Sequence, residues 1–274
     1  MSAATYLDEI LAAHRAAAAA DRRDVEGLLA EAERCGAGRG FADALVGSAG
    51  LAVIAEIKRR SPSRGDLDPR LDPAEVARVY EEGGAACLSV LSDAQFFGGS
   101  ADDVAAARAA CGLPVLRKDF TVAEADVADA RLMGADAVLL IVAAVTDEEL
   151  RRLLSLSRRV GLDALVEAHD ETEVRRAVDA GAEIVGVNQR DLSSFVVDHG
   201  RALRVVGAIP DGVVAVAESG IRDGDDARRL ADAGYRAVLV GETLMRAGDR
   251  REVLASLVGH RVGRSVGQPG SLRG

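Results

Sequence analysis

Residues 51–58 read LAVIAEIK, an apolar run that ends in a glutamate and a lysine. Seven more runs of this kind follow: ACLSVLS (86–92), PVLRKDF (114–120), AVLLIVA (137–143), DALVEAH (163–169), IVGVNQR (184–190), VVAVAES (213–219) and AVLVGET (237–243). They are rich in Val, Ile, Leu and Ala, which predicts parallel strands buried on both faces. The segments between them carry helical spacing, as in DPAEVARVYEEGG (72–84), TDEELRRLLSLSRRVG (146–161) and ETEVRRAVDAG (171–181). Asp or Thr stands near several starts and Gly at the ends, as helix capping requires. A helix–Gly–Ala–strand phrase recurs in EGGAACLSVL, LMGADAVLLI, DAGAEIVGV and DAGYRAVLVG, its glycines Gly84, Gly134, Gly181 and Gly234 lying about two βα units apart. Eight β and eight α segments with an internal period predict a closed (β/α)₈ barrel of the α/β class. A doubly wound open sheet rarely needs eight uninterrupted units.

Working outward, residues 1–50 precede the first strand, and DEILAAHRAAAAADRRDVEGLLAEAER within them is strongly helix-forming. An N-terminal extension of one or two helices capping the barrel is expected there. The barrel itself should span 51–258, and the tail 259–274, ending SVGQPGSLRG, should be loose. The 274 residues suit one barrel domain, and 49% hydrophobic residues can fill its core.

The net charge of −10 argues against a nucleic-acid or anionic-membrane partner. No apolar run reaches the roughly 18 residues of a membrane span, and no signal peptide is visible. Cys35, Cys87 and Cys111 are odd in number and widely spaced, with no C-x-x-C or His/Cys cluster. They predict neither a disulfide framework nor a metal site, and a reduced, cytoplasmic setting. Cys87 and Cys111 read as packing residues. No exposed apolar segment stands out, so a monomer is expected.

Among 32 arginines there are only two lysines, Lys58 and Lys118, and Asn188 is the single asparagine. Where a generic cation suffices, this chain uses Arg. A retained Lys points to a task needing a compact, proton-donating ammonium. The positions sharpen this, because barrel active sites lie at the C-terminal ends of the strands. Strand 1 ends with Glu56 and Lys58, strand 3 with Lys118, strand 5 holds Glu167, strand 6 Asn188 and Arg190, and strand 7 Glu218 and Ser219. By alternation, Glu56 and Lys58 share a face with Ile54, Lys118 with Leu116 and Phe120, Glu167 with Leu165, Asn188 with Gly186 and Arg190, and Glu218 with Val216. If those faces point inward, one cavity holds three carboxylates, two ammonium groups, an amide and a guanidinium. Burying so many charges for structure alone is costly. Asp119 and His169 have the opposite parity and read as structural.

A second constellation concerns phosphate. Strand 7 runs into Glu-Ser-Gly-Ile (218–221) and strand 8 into Val-Gly-Glu-Thr (240–243). Loops after strands 7 and 8 commonly hold phosphate on backbone N–H groups, which makes Gly220, Gly241 and Glu242 candidates. Ser61, in the loop after strand 1, offers a further donor near the mouth.

With IAEIKRRSPSRG (54–65), LSVLSDAQFFGGS (88–100), PVLRKDF (114–120), ALVEAHDETE (164–173), VGVNQRDL (185–192), VAESGI (216–221) and VLVGETLM (238–245) in view, the chain resembles the indole-3-glycerol phosphate synthases over nearly its whole length. The combination of E-x-K-x-x-S-P-S at strand 1 with R-K-D-F at strand 3 is specific. The resemblance implies a TIM barrel and a small phosphorylated substrate, 1-(2-carboxyphenylamino)-1-deoxyribulose 5-phosphate. The substrate loses carbon dioxide and water as its ring closes, a step of tryptophan biosynthesis needing no metal or organic cofactor. By carry-over, Lys118 is the acid for condensation and Glu167 assists proton transfer. Lys58 holds an anionic end of the substrate and acts in dehydration, with Glu56 tuning its charge. Asn188, Arg190, Glu218 and Ser219 position the sugar hydroxyls and the anthranilate carboxylate, and Phe96 and Phe120 form apolar walls. A related isomerase family, acting on phosphoribosylanthranilate, resembles a smaller barrel with a Cys and an Asp as its acid and base, and Glu56-Ile57-Lys58 argues against it. A barrel that only binds phosphate would leave Glu56, Lys58, Lys118 and Glu167 without a task.

Overall fold

The computed structural model describes residues 5–61, 65–191 and 194–263. Eight parallel strands close into a barrel: β1 (Ala52–Ile57), β2 (Cys87–Leu91), β3 (Val115–Lys118), β4 (Ala137–Ile141), β5 (Asp163–Ala168), β6 (Ile184–Asn188), β7 (Val214–Glu218) and β8 (Ala237–Val240), with β8 pairing to β1. All eight apolar runs of the sequence are these strands. Arg60–Ser61 and Gly65–Asp66 pair as a short antiparallel ribbon in the loop after β1. The middle of that loop, residues 62–64, lies outside the described residues, as does 264–274 of the expected tail. Residues 259–263 are held in place: Leu51 donates its N–H to His260 at 2.7 Å, and Gly263 donates to Ala231 at 2.8 Å.

The helices follow in chain order: α1 (Tyr6–Ala20), α2 (Val25–Glu33), α3 (Phe41–Gly47), α4 (Pro73–Glu82), α5 (Ala94–Phe97), α6 (Ala101–Ala110), α7 (Glu124–Leu132), α8 (Asp147–Arg159), α9 (Glu171–Asp179), α10 (Arg201–Val205), α11 (Gly224–Asp232), α12 (Glu242–Met245) and α13 (Arg250–Leu257). Several of their starts carry the caps the sequence promised. Thr146 and Glu149 form a reciprocal capping box on α8, and Asp72, Asp170 and Asp223 cap α4, α9 and α11. The repeated Gly–Ala phrase has a physical basis at the other end. Gly84, Gly134, Gly181 and Gly234 have φ between 88° and 106°. The residue after each donates its N–H five positions back: Ala85 to Tyr80, Ala135 to Ala130, Ala182 to Ala177 and Tyr235 to Leu230. That bond needs a left-handed residue, which glycine adopts without steric cost, so each helix stops and turns into the next strand.

The N-terminal extension forms three helices where one or two were expected, and they serve opposite ends of the barrel. Phe41 and Leu45 of α3 are fully buried. The α3 backbone accepts from and donates to strand beginnings: Ala42 N–H to Asp163 Oδ2 at 2.9 Å, and Cys87 Sγ to Phe41 O at 3.8 Å. This closes the N-terminal end. By contrast, α1 lies at the C-terminal end, where Tyr6, Leu7 and Ile10 face the barrel mouth.

Candidate active site

Cross-strand register stacks the polar residues at one rim. Glu56 is level with Ser89, Leu91 with Lys118, Ile141 with Glu167, Glu167 with Gly186, Asn188 with Glu218, and Glu218 with Leu239. In-register partners share a face, so these side chains all point into the barrel. They open into a cavity of about 700 Å³. Its wall includes Glu56, Lys58, Ser61, Lys118, Phe120, Glu167, Asn188, Arg190, Glu218, Ser219, Gly220, Gly241 and Glu242. Of the residues singled out from the sequence only Phe96 is missing. Among the described residues of the wall, Phe97 takes its place, while the Phe96 ring packs edge-on against Tyr6 at 5.8 Å. Both phenylalanines lie on the single helical turn of α5, where consecutive side chains point about 100° apart, so only one can face the cavity.

Inside, Lys118 is the hub. Its Nζ lies 3.0 Å from Glu167 Oε2 and 3.5 Å from Glu218 Oε2. Asn188 Nδ2 donates to Glu167 Oε1 at 3.0 Å, and Asn188 Oδ1 accepts the Arg190 N–H at 3.0 Å. A separate pair, Lys58 Nζ to Glu56 Oε1 at 2.5 Å, stands across the mouth at the end of β1. Two glycines make room for the carboxylates. A Cβ on Gly186 would stand 2.0 Å from Glu218 Oε1, and one on Gly241 would stand 2.2 Å from Glu56 Oε1. Neither Gly186, within β6, nor Gly241, just past β8, tolerates a side chain while those carboxylates keep their places.

Charge and burial separate the titratable groups. Burial alone would lower the Lys118 pKa. The negative charges of Glu167, Glu218 and Glu56 outweigh it and hold the ammonium protonated well above the ordinary lysine range. Burial drives Glu218 up, Lys118 opposes it, and the neighbouring Glu167 and Glu56 charges push further, leaving Glu218 at about 8. Glu167 is pulled the other way: burial is outweighed by Lys118, His169 and the Asn188 hydrogen bond, and its carboxyl ionises below the usual range. Two carboxyls flanking one ammonium thus divide into a proton-bearing acid and a carboxylate, the arrangement acid–base chemistry uses. The Glu218 Oε1 atom makes no hydrogen bond among the described residues.

The loop after β7 bends sharply. Ser219 and Gly220 both have positive φ, 63° and 72°. Gln189, between Asn188 and Arg190, turns away from the cavity and donates to Ser219 O at 2.8 Å, which holds that bend. Thr243 Oγ1 donates to Ile221 O at 2.6 Å, so its hydroxyl ties the loops after β7 and β8 together. Arg222 and Arg246 complete this side of the wall. Asp119 touches the cavity but is engaged by Ser92 Oγ, by Arg117 at 2.9 Å and by the Phe120 N–H at 2.8 Å, as its parity suggested.

Sequence reasoning expected capping helices but named none of the wall residues Tyr6, Leu7 and Ile10 of α1, and it missed Phe195, Val197, Arg222 and Arg246. A helix capping the barrel was readable from the N-terminal segment, but which end it docks on and which of its residues face the cavity were not. The α1 helix is tethered by His14 Nε2 to Asp93 Oδ2 at 2.9 Å and by Arg15 to Glu149 at 3.1 Å. The His14 ring lies 5.4 Å from that of Phe120.

Residues 7–257 match the family model described as indole-3-glycerol phosphate synthase. The chain belongs to this family. It is 54% identical over 221 residues to indole-3-glycerol phosphate synthase 2 of Streptomyces coelicolor, covering 81% of this chain and 85% of that protein. The synthase of Mycolicibacterium vanbaalenii is 47% identical over 260 residues, 94% of this chain and 95% of its own. Among solved structures, a thiamine phosphate pyrophosphorylase from Pyrococcus furiosus superposes with a TM-score of 0.57 at 17% identity, over 77% of this chain and 95% of that one. At that identity the likeness concerns the barrel fold alone.

Proposed function

We propose that this protein closes the indole ring of 1-(2-carboxyphenylamino)-1-deoxyribulose 5-phosphate, releasing carbon dioxide and water to give indole-3-glycerol phosphate in tryptophan biosynthesis. Family membership supports the reaction. The observation that carries the chemistry is the Lys118 ammonium, held 3.0 Å from Glu167 Oε2 and 3.5 Å from Glu218 Oε2 at the mouth of the barrel.

Lys118 donates its proton to the sugar carbonyl oxygen as the ring carbon bearing the carboxylate attacks that carbon. The new C–C bond forms and the C–CO₂ bond breaks, its electrons restoring the aromatic ring. Glu167, ionised and beside Lys118, faces the positive charge that develops on the aniline nitrogen and takes up a proton as the hydroxyl departs as water. Lys58, with Glu56 beside it, supplies the acid for that departure. Asn188, Arg190, Glu218 and Ser219 orient the sugar hydroxyls and the anthranilate carboxylate. Phe120 and Phe97 stack or abut the aromatic ring, the latter in the role first expected of Phe96. The phosphate is held by backbone N–H groups at Gly220, Gly241 and Glu242, where the Thr243 hydroxyl is already engaged.

The chain's net charge of −10 repels an anionic substrate at long range, so attraction is local, from Lys58, Arg190, Arg222 and Arg246. The cysteines are unpaired, which fits a reduced cytoplasmic setting. No helix among the described residues is long and apolar enough to cross a membrane.

The test is a fluorescence assay for indole-3-glycerol phosphate with wild type and Lys118→Arg side by side. Wild-type turnover with a loss of about 100-fold or more in the mutant is expected, since a guanidinium keeps the charge but does not give up its proton. Equal activity of the two would remove Lys118 from the donor role.

A further inference from the structure

Behind Glu167, away from the substrate, stands a second charged relay. His169 follows it by two residues, just past the end of β5, with its side chain 16% exposed. Glu173, one turn into α9, accepts from the His169 backbone N–H at 2.7 Å and contacts its Nδ1 at 3.1 Å. A carboxylate only accepts, so Nδ1 carries a proton and the other ring nitrogen is free to hold a second one. That nitrogen, Nε2, is buried, makes no hydrogen bond among the described residues, and lies 3.8 Å from Glu167 Oε1.

We propose that His169 is a positioning residue for the ring closure, an imidazolium held by Glu173 that keeps Glu167 ionised and aimed at Lys118. The proposal rests on the reading of Glu167 given above. A neutral Nε2 would present a lone pair to a carboxylate oxygen, which repels; a protonated Nε2 presents an N–H, which attracts. Three charged groups face the ring. Glu167 on its own strand and Glu173 on α9 favour the cation, and Arg201 on α10 opposes it. Burial also disfavours the cation, yet the two glutamates prevail and the imidazole stays protonated above its ordinary range. Glu167 is therefore gripped on three sides: Lys118 at 3.0 Å, Asn188 at 3.0 Å, and the imidazolium. Lys118 and Asn188 both face substrate, so their grip changes during turnover. His169 does not line the cavity, so its charge persists through the cycle.

The experiment measures pH profiles of kcat/KM for wild type, His169→Gln, Glu173→Gln and Glu167→Gln, with proton NMR titration of the ring. The chain has four histidines, so His169 is assigned by its loss in His169→Gln. Removing the cation raises the Glu167 pKa, so the acid limb of His169→Gln should move about half to one pH unit upward, with kcat down about fivefold and KM within about twofold. Glu173→Gln should shift the limb the same way by less. In Glu167→Gln the His169 ring should titrate at lower pH than in wild type, a readout independent of turnover. Should His169→Gln fail to fold, that titration and Glu173→Gln decide. An unmoved acid limb, or a His169 pKa unchanged in Glu167→Gln, would overturn the proposal while leaving an inactive Glu167→Gln to support the reading beneath it. Full activity in Glu167→Gln would overturn both.

Discussion

The two ends of this barrel are built from the same strands and are opposite in kind. At the N-terminal end, Phe41 and Leu45 of α3 plug the strand beginnings with side chains that are fully buried. At the C-terminal end the same closed sheet buries Glu56, Glu167, Asn188 and Glu218, leaves a cavity of about 700 Å³, and covers part of it with α1. One end gains stability from apolar packing. The other gives some up, because carboxyls driven apart in pKa are poor packing material and useful chemistry. Both covers come from the N-terminal fifty residues, so the extension stabilises one end and walls the other.

Substitutions at each end test that contrast. Phe41→Ala should cost about 3–5 kcal/mol of stability, as expected for truncating a fully buried ring, with kcat/KM of the folded protein unchanged. Urea unfolding and assay at low temperature check it, and a large kinetic effect would mean that the ends communicate. Gly186→Ala inverts the case. Its methyl takes the space of Glu218 Oε1, so kcat/KM should fall about 10- to 100-fold, equivalent to about 1.4–2.7 kcal/mol. A parallel steady-state assay and melt separate this from unfolding.

The smallest effect concerns the α1 tether. The hydrogen bond to Asp93 raises the His14 pKa, with burial opposing it and Asp119 and Asp93 charges adding to it. A raised folded-state pKa stabilises fully below the unfolded value and is lost as pH rises through the folded one. His14→Ala should therefore cost about 1 kcal/mol near pH 6 and progressively less above the raised pKa. Urea melts at both ends of that range would show it, and a penalty growing with pH would refute the charged tether.

Much of the fold was legible because its signals are local. Eight apolar runs, their intervening helical spacings and the Gly–Ala phrase each sit within a few residues of the feature they create. The polar rim was legible for the same reason: alternation along one strand decides which of Glu56, Lys118, Glu167, Asn188 and Glu218 point together. Parity set His169 aside as structural, and it does lie outside the cavity wall. What parity hides is that its ring reaches round the strand end to within 3.8 Å of Glu167. The choice of Phe97 over Phe96 depends on the rotation of one short helical turn, which no periodicity in four residues can set.

Local pattern along the chain specifies the strands, many of their flanking caps, the inward set of charged residues and the family. These follow from backbone propensities and the two-residue repeat of a strand, which act between near neighbours. The assembled barrel alone sets which end α1 and α3 cover, that Gly186 and Gly241 are the spaces into which Glu218 and Glu56 fit, and that the two carboxyls flanking Lys118, Glu167 and Glu218, are shifted in opposite directions. Those outcomes depend on groups dozens to hundreds of residues apart being brought within a few ångströms, where burial and charge act with a strength that no local pattern encodes.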